Sequence, residues 1–115
     1  MELLVEVVRD PQHCFMITIA EGGVLSQLRK DSVTLCMPCN KTEIEWALEK
    51  LRIWPYFSGY RNKKAININK YISTFLALQR YAMKEKDKLV ELDVNPLSVK
   101  SNQVVADDTL IRENY

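Results

Sequence analysis

The segment from Glu91 to Asp108 constrains the fold more than any other part of the chain, because polar and apolar side chains alternate along it. In its first half, Glu91, Asp93 and Asn95 are separated by apolar residues. Successive side chains of a β-strand point to opposite faces, so a period of two is typical of a strand with one buried face. The first half therefore predicts a strand whose acidic and amide side chains share one face.

A second strand is predicted to return beside the first, because valines resume after the polar pair Ser101 and Asn102. If that pair forms a two-residue turn, Asn95 lies directly opposite Asp108 in the antiparallel hairpin. Directly opposed residues share a face, so Asp93, Asn95 and Asp108 are predicted to converge.

The three predicted neighbours offer carboxylate and amide oxygens, which Mg²⁺ takes as ligands when it also keeps waters and holds substrate phosphates. The pattern therefore suggests a magnesium site. The alternative is a row of solvated residues on the wet face of an edge hairpin. Asp107 leaves the aspartate assignment open by one residue, and the turn register favours Asp108.

Other strands are predicted where β-branched and apolar residues are concentrated. Residues 2–8 and 14–20 form one predicted hairpin, with Pro11 in the turn between them. A further strand is predicted over 33–37, and residues 111–115 are predicted to be a tail.

Two helices are predicted between these strands. The first begins at a cap on Asn40 or Thr42 and ends near Arg52. The second runs from Asn67 to about Lys84 and carries one apolar stripe. Residues between the helices, from 54 to 61, read as an irregular loop. Strands at both ends with helices between them predict a single α+β domain over 1–115, with a largely antiparallel sheet and two main helices.

Charge and hydropathy limit the partners that the sequence suggests. The chain of 115 residues has a net charge of +1 with 27% charged residues, which gives no strong field to attract nucleic acid or an anionic membrane. No apolar run approaches the roughly 20 residues that span a bilayer, and the N-terminus has no signal-peptide pattern. We expect a cytoplasmic protein with no nucleic-acid partner and no membrane partner.

The three cysteines, Cys14, Cys36 and Cys39, are an odd set without a secretion signal, so we expect reduced thiols and no disulfide framework. Cys36 and Cys39 have CxxC spacing, and a zinc ion would need His13 and Cys14 as its remaining ligands. Neighbours in a strand point to opposite faces, so both reaching one ion requires a distorted backbone. Half-buried thiols are the favoured interpretation.

Several short motifs occur in an order that resembles the ATP-grasp domain of NDP-forming acyl-CoA synthetases, relatives of the succinyl-CoA synthetase β subunit. The motifs are Arg9-Asp10-Pro11, Gly22-Gly23-Val24, Lys30-Asp31, Gly59-Tyr60-Arg61, and Glu91-Leu-Asp-Val-Asn-Pro-Leu97 followed by Val104-Val-Ala-Asp-Asp108. The resemblance covers nearly the whole chain, and it implies the C-terminal half of an ATP-grasp fold.

The resemblance also implies the ligands of a site for Mg²⁺ with ATP or ADP. Asn95 and Asp108 match the family's metal ligands, and Asp93 occupies a position from which it binds or orients the ion.

Three further residues match positions that lie near the nucleotide phosphates in the family. Arg9 matches the arginine of the Arg-Asp-Pro motif, and Gly22 and Gly23 match a glycine loop. The alternatives are a surface arginine paired with Asp10 and a plain turn after a strand.

By this resemblance the chain is the metal- and nucleotide-binding lobe of an acid-thiol ligase that forms acyl-CoA through an acyl phosphate and a phosphohistidine carried elsewhere. Its expected partners are nucleotide-binding and CoA-binding domains of the same enzyme or of a partner subunit, and the chain alone is expected to be inactive. The alternative is a non-catalytic interaction or regulatory module. It is suggested by departures from the family pattern, with Glu6, Cys14 and Asn62 at frequent glycine positions and His13 at an aromatic one.

Overall fold

The computed structural model describes residues 2–12, 15–21, 31–57, 68–100, 103–106 and 108–114. Within these ranges, six strands form one antiparallel sheet in the order β3-β2-β1-β4-β5, and the sixth strand, β6, also pairs with β4. The strands are β1 (Glu2–Arg9), β2 (Phe15–Glu21), β3 (Ser32–Cys36), β4 (Leu89–Lys100), β5 (Gln103–Ala106) and β6 (Thr109–Glu113). The α+β class and the antiparallel sheet are confirmed.

The helices are α1 (Lys41–Lys50), α2 (Trp54–Phe57) and α3 (Ile68–Lys84). The predicted cap at Asn40 is confirmed, because the Asn40 side chain accepts a hydrogen bond from the Glu43 amide at 2.8 Å. The Glu43 carboxylate in turn accepts one from the Asn40 amide at 3.1 Å. This reciprocal pair satisfies two amides that a helix start otherwise leaves unpaired.

No helix among the described residues is long and apolar enough to cross a membrane.

One face of the sheet is buried against the helices. Along β1, Leu3, Val5 and Val7 are at most 1% exposed, whereas the residues between them are half-buried. They share one apolar core with buried side chains of α1 and α3, among them Ile44, Leu48, Ile72 and Phe75. The opposite face of the sheet, called the open face below, carries polar residues. Thr18 and Thr34 lie there, with their hydroxyl oxygens 2.8 Å apart.

Two predictions about local structure were wrong. Residues 54–57 are the short helix α2 and not part of an irregular loop, because Pro55 stands in the first turn, where a helix needs no amide hydrogen from it. Residues 111–113 of the predicted tail belong to the strand β6, because they pair with β4, as Ile111 does with Leu92.

β4 contains two bulges that decide which face each side chain reaches. Against β6, Leu89 pairs with Glu113 and Glu91 with Arg112, so one extra β4 residue lies between the two pairs. Against β1, Val94 pairs with Val5, but Leu97 pairs with Leu3, so a second extra residue falls at 95–96. Leu89, Leu92, Val94 and Leu97 are therefore all buried, although strict alternation would turn Leu89 and Leu97 to the open face.

Candidate metal and nucleotide site

Three carboxylates meet on the open face, where β1 lies beside β4. Glu6 is directly opposite Asp93, and Glu91 is two residues earlier on β4. Each side chain offers an oxygen, and these oxygens all lie within 4.8 Å of one another. Within the described part of the chain, this is the one group of three acidic, histidine or cysteine side chains close enough to share a cation.

The surroundings of Asp93 raise the pKa of its carboxyl group. Burial raises its pKa most, followed by a hydrogen bond with Glu91 and by the negative charges of Glu91 and Glu6, so that the pKa reaches about 6. Arg112 opposes the rise, and it forms an ion pair with Glu91 at 2.9 Å. The open face thus concentrates negative charge that favours either a proton or a cation.

Asn95 follows Asp93 by two residues on β4, and Asp108 immediately precedes β6, outside the group of three carboxylates. The backbone amide of Asn95 donates to the backbone carbonyl oxygen of Asp108 at 3.1 Å, and both side chains are exposed. Leu97 pairs with Ala106 as expected, so the predicted hairpin register is confirmed. The predicted turn at Ser101 and Asn102 and the neighbouring Asp107 lie outside the described residues.

The side chains present fit a hard divalent cation. The donors are oxygens, which suit Mg²⁺ better than softer metals. The Oδ1 atom of Asp93 is buried and accepts no hydrogen bond from the described residues. A bound cation would give this oxygen the polar partner that a buried oxygen needs. Glu6 adds a carboxylate that sequence reasoning did not assign to the site. No local signal reveals it, because its contact depends on the pairing of β1 with a strand near the other end of the chain.

Arg9 is not brought together with these residues. Arg9 is the last residue of β1, and alternation along the strand places it on the same face as the buried Val5 and Val7. It pairs with Phe15, which is fully buried. Its guanidinium stacks on the Phe15 ring at 5.1 Å and donates hydrogen bonds to the carbonyl oxygens of Lys86 and Leu89. The predicted phosphate contacts of Gly22 and Gly23 lie outside the described residues.

The structure gives the alternative zinc site no support from Cys36 and Cys39. Cys36 is exposed, whereas Cys39 is buried and its thiol donates to Gln79 Oε1 at 3.2 Å. Burial is the main cause that raises the pKa of Cys39, which disfavours the thiolate that zinc binds. His13 and Cys14, the other two proposed ligands, lie outside the described residues.

Known proteins resemble the chain over almost its full length. An ATP-grasp domain family model matches residues 1–112. The β subunit of ADP-forming acetate–CoA ligase I from Pyrococcus furiosus is 24% identical over 107 residues, which are 93% of this chain and 46% of that subunit. ADP-forming acetate–CoA ligase I from Archaeoglobus fulgidus is 26% identical over 96% of this chain and 16% of its own length.

The same fold occurs in a solved structure. The dinucleotide-forming acetyl-coenzyme A synthetase 1 of Ca. Korarchaeum cryptofilum, in complex with coenzyme A and Mg-AMPPCP, superimposes with a TM-score of 0.90 at 21% identity. The match covers 98% of this chain and 53% of that one. The chain therefore spans about half the length of the Pyrococcus subunit and of this solved structure. Because the family model covers all but the last few residues, the chain belongs to the ATP-grasp domain family.

Proposed function

We propose that the chain is the metal- and nucleotide-binding lobe of an ADP-forming acyl-CoA synthetase, an acid-thiol ligase. The observation that carries this proposal is the group of carboxylates around Asp93 on the open face. The backbone bond from Asn95 to Asp108 sets the register that brings their side chains to the same strand pairing. Carboxylate and amide side chains offer hard oxygen donors, and the sheet that carries them belongs to the ATP-grasp family. The ADP-forming ligases among its relatives support the reaction class.

The reaction is ATP with a carboxylic acid and CoA, giving ADP, phosphate and acyl-CoA, or its reverse. Asp93, Asn95 and Asp108 would hold and orient a Mg²⁺ ion, which would supply the positive charge that offsets the negative charge developing during phosphoryl transfer. The open face would supply a surface for the nucleotide phosphates. The remaining nucleotide contacts and the CoA site belong, in this proposal, to other domains or to a partner subunit.

A second candidate function has one observation in its favour. Glu6 places a further carboxylate beside Asp93, where phosphates would approach. An added negative charge repels nucleotide phosphates and favours a non-catalytic ATP-grasp-like module.

Measuring acyl-CoA formation by the complete protein, with any partner subunit, separates the two candidates. With ATP, Mg²⁺, CoA and a series of short carboxylic acids, we expect ADP release that depends on both the acid and CoA. Omitting either substrate is the control. Binding of Mg-ATP without turnover of any acid would reject the ligase and favour the non-catalytic module.

A further inference from the structure

Arg9 holds the beginning of β4 in place. Its Nε donates to the Leu89 carbonyl oxygen at 3.0 Å, and its Nη2 donates to the same oxygen at 2.6 Å and to the Lys86 carbonyl oxygen. The guanidinium also stacks on Phe15. One side chain therefore ties the end of β1 to the turn that follows α3 and to the first residue of β4.

The residue held by Arg9 lies at the first bulge of β4. Leu89 pairs with Glu113, and the extra residue follows before Glu91 pairs with Arg112. This bulge puts both Leu89 and Leu92 on the core face and turns Glu91 and Asp93 to the open face. A slip of one residue would reverse these orientations and bury Asp93.

We propose that Arg9 is a positioning residue, which fixes the bulge in β4 and thereby aims Asp93 at the metal site without touching nucleotide. The role of Asp93 in this statement rests on the function proposed above. Arg9 is on the core side of the sheet and Asp93 on the open side, so the sheet separates the guanidinium from phosphates bound near Asp93.

The contacts require the shape of arginine as well as its charge. A planar guanidinium bonds two carbonyl oxygens through adjacent nitrogens while its face lies on an aromatic ring. The ammonium group of lysine has a single nitrogen and no planar face. It cannot reproduce both the fork of adjacent nitrogens and the stacking on Phe15. The substitution Arg9→Lys therefore separates the two possible roles, because it preserves positive charge and removes the fork.

The test compares Arg9→Lys and Arg9→Gln with Arg80→Gln, which changes an exposed arginine on α3 and serves as the control. In the complete protein, Mn²⁺ binding without nucleotide is measured by electron paramagnetic resonance, Mg-ATP binding by calorimetry, and amide hydrogen exchange along 89–95 by mass spectrometry. We expect both Arg9 variants to weaken Mn²⁺ binding about tenfold and to speed exchange in 89–95. Arg80→Gln should match wild type.

Three outcomes would overturn the proposal. Arg9→Lys with wild-type Mn²⁺ affinity and exchange would show that charge alone suffices. Arg9→Gln that loses Mg-ATP affinity but keeps Mn²⁺ affinity and exchange would show that Arg9 contacts phosphate. Unchanged exchange in both variants would show that Arg9 does not anchor β4. A wild-type protein that binds neither Mn²⁺ nor Mg-ATP would instead reject the proposed function, while the exchange rates would still decide whether Arg9 anchors the bulge. If Arg9→Gln does not fold, Arg9→Lys carries the comparison.

Discussion

At the scale of single residues, Asp93 is perturbed by its burial and by the two carboxylates beside it. Its pKa in the folded protein, about 6, is above the ordinary value of 3.8. The folded state therefore holds the proton more tightly than the unfolded chain does. The stability that this gives is complete below about pH 4 and is lost as the pH rises through about 6.

Replacing Glu6 by glutamine should reduce that loss, because one of the charges that raise the Asp93 pKa disappears. With divalent cations chelated, we expect Glu6→Gln to be more stable than wild type by up to about 1 kcal/mol at neutral pH, as for removal of like charges on opposed strands. The gain should shrink toward about pH 4. Urea unfolding across this pH range measures it, with the exposed Glu49→Gln as the control. A stability difference that does not change with pH would contradict the coupling of Glu6 to Asp93.

The strand register of the candidate site was predictable from the sequence only where its residues belong to one hairpin. The alternation around Asp93 and the turn register placed Asn95 opposite Asp108, and the Asn95–Asp108 hydrogen bond agrees. The position of Glu6 beside Asp93 was not predictable, because strand order decides which distant residues become neighbours. The motif of Arg9 suggested a phosphate contact but says nothing about the face on which its side chain lies, so its place on the core side of the sheet was not predictable.

At the scale of elements, apolar periodicity identified every long strand and helix of the described chain, and the misses have physical causes. β6 has little buried surface, with Leu110 60% and Ile111 45% exposed, so no alternation marks it. α2 is four residues long and contains proline, so neither its length nor its composition signals a helix. The bulges in β4 arise from pairing with two different neighbours, which single-strand periodicity does not encode.

Gln79 joins α3 to the segment that precedes α1. Its side-chain carbonyl accepts from the Cys39 amide at 2.8 Å, and its amide donates to the Cys39 carbonyl at 3.0 Å. Both partners are backbone groups of Cys39, which is buried. This pair of hydrogen bonds therefore fixes where α1 begins relative to α3.

Substituting Gln79 by alanine should leave those two backbone groups unpaired. We expect a loss of about 1–3 kcal/mol in the free energy of unfolding, which is the usual result of an unsatisfied buried group. Chemical denaturation measures the loss, and Arg80→Ala, an exposed position on the same helix, controls for helix propensity. Equal stability of the two variants would show that solvent replaces the Gln79 hydrogen bonds.

At the scale of the whole molecule, the chain has a core of its own but matches only about half of the relatives' length. The sheet and helices bury an apolar core, and we expect a core of this kind to allow independent folding. A nucleotide cleft needs walls on more than one side. In the proposed function, the open face is one such wall.

Residues 1–115 on their own should therefore unfold cooperatively on heating and yet bind Mg-ATP weakly or not at all. Calorimetric titration with Mg-ATP, together with a thermal melt of the same sample, provides both measurements. Tight stoichiometric binding by these residues alone would show that the site does not need a second lobe.

The most direct test of the central claim is phosphorylation of the complete protein by labelled ATP at saturating Mg²⁺. If Asn95 and Asp108 hold the ion against the nucleotide, Asn95→Ala and Asp108→Ala should each lower the phosphorylation rate at least about a hundredfold. Their melting temperatures should stay near that of wild type, because both side chains are exposed. Asp107→Ala is the matched control, and period two predicts a much milder effect. Loss of phosphorylation in the Asp107 variant, with normal phosphorylation in the Asp108 variant, would show that Asp107 and not Asp108 is the ligand. Normal phosphorylation in all three variants would contradict the metal site.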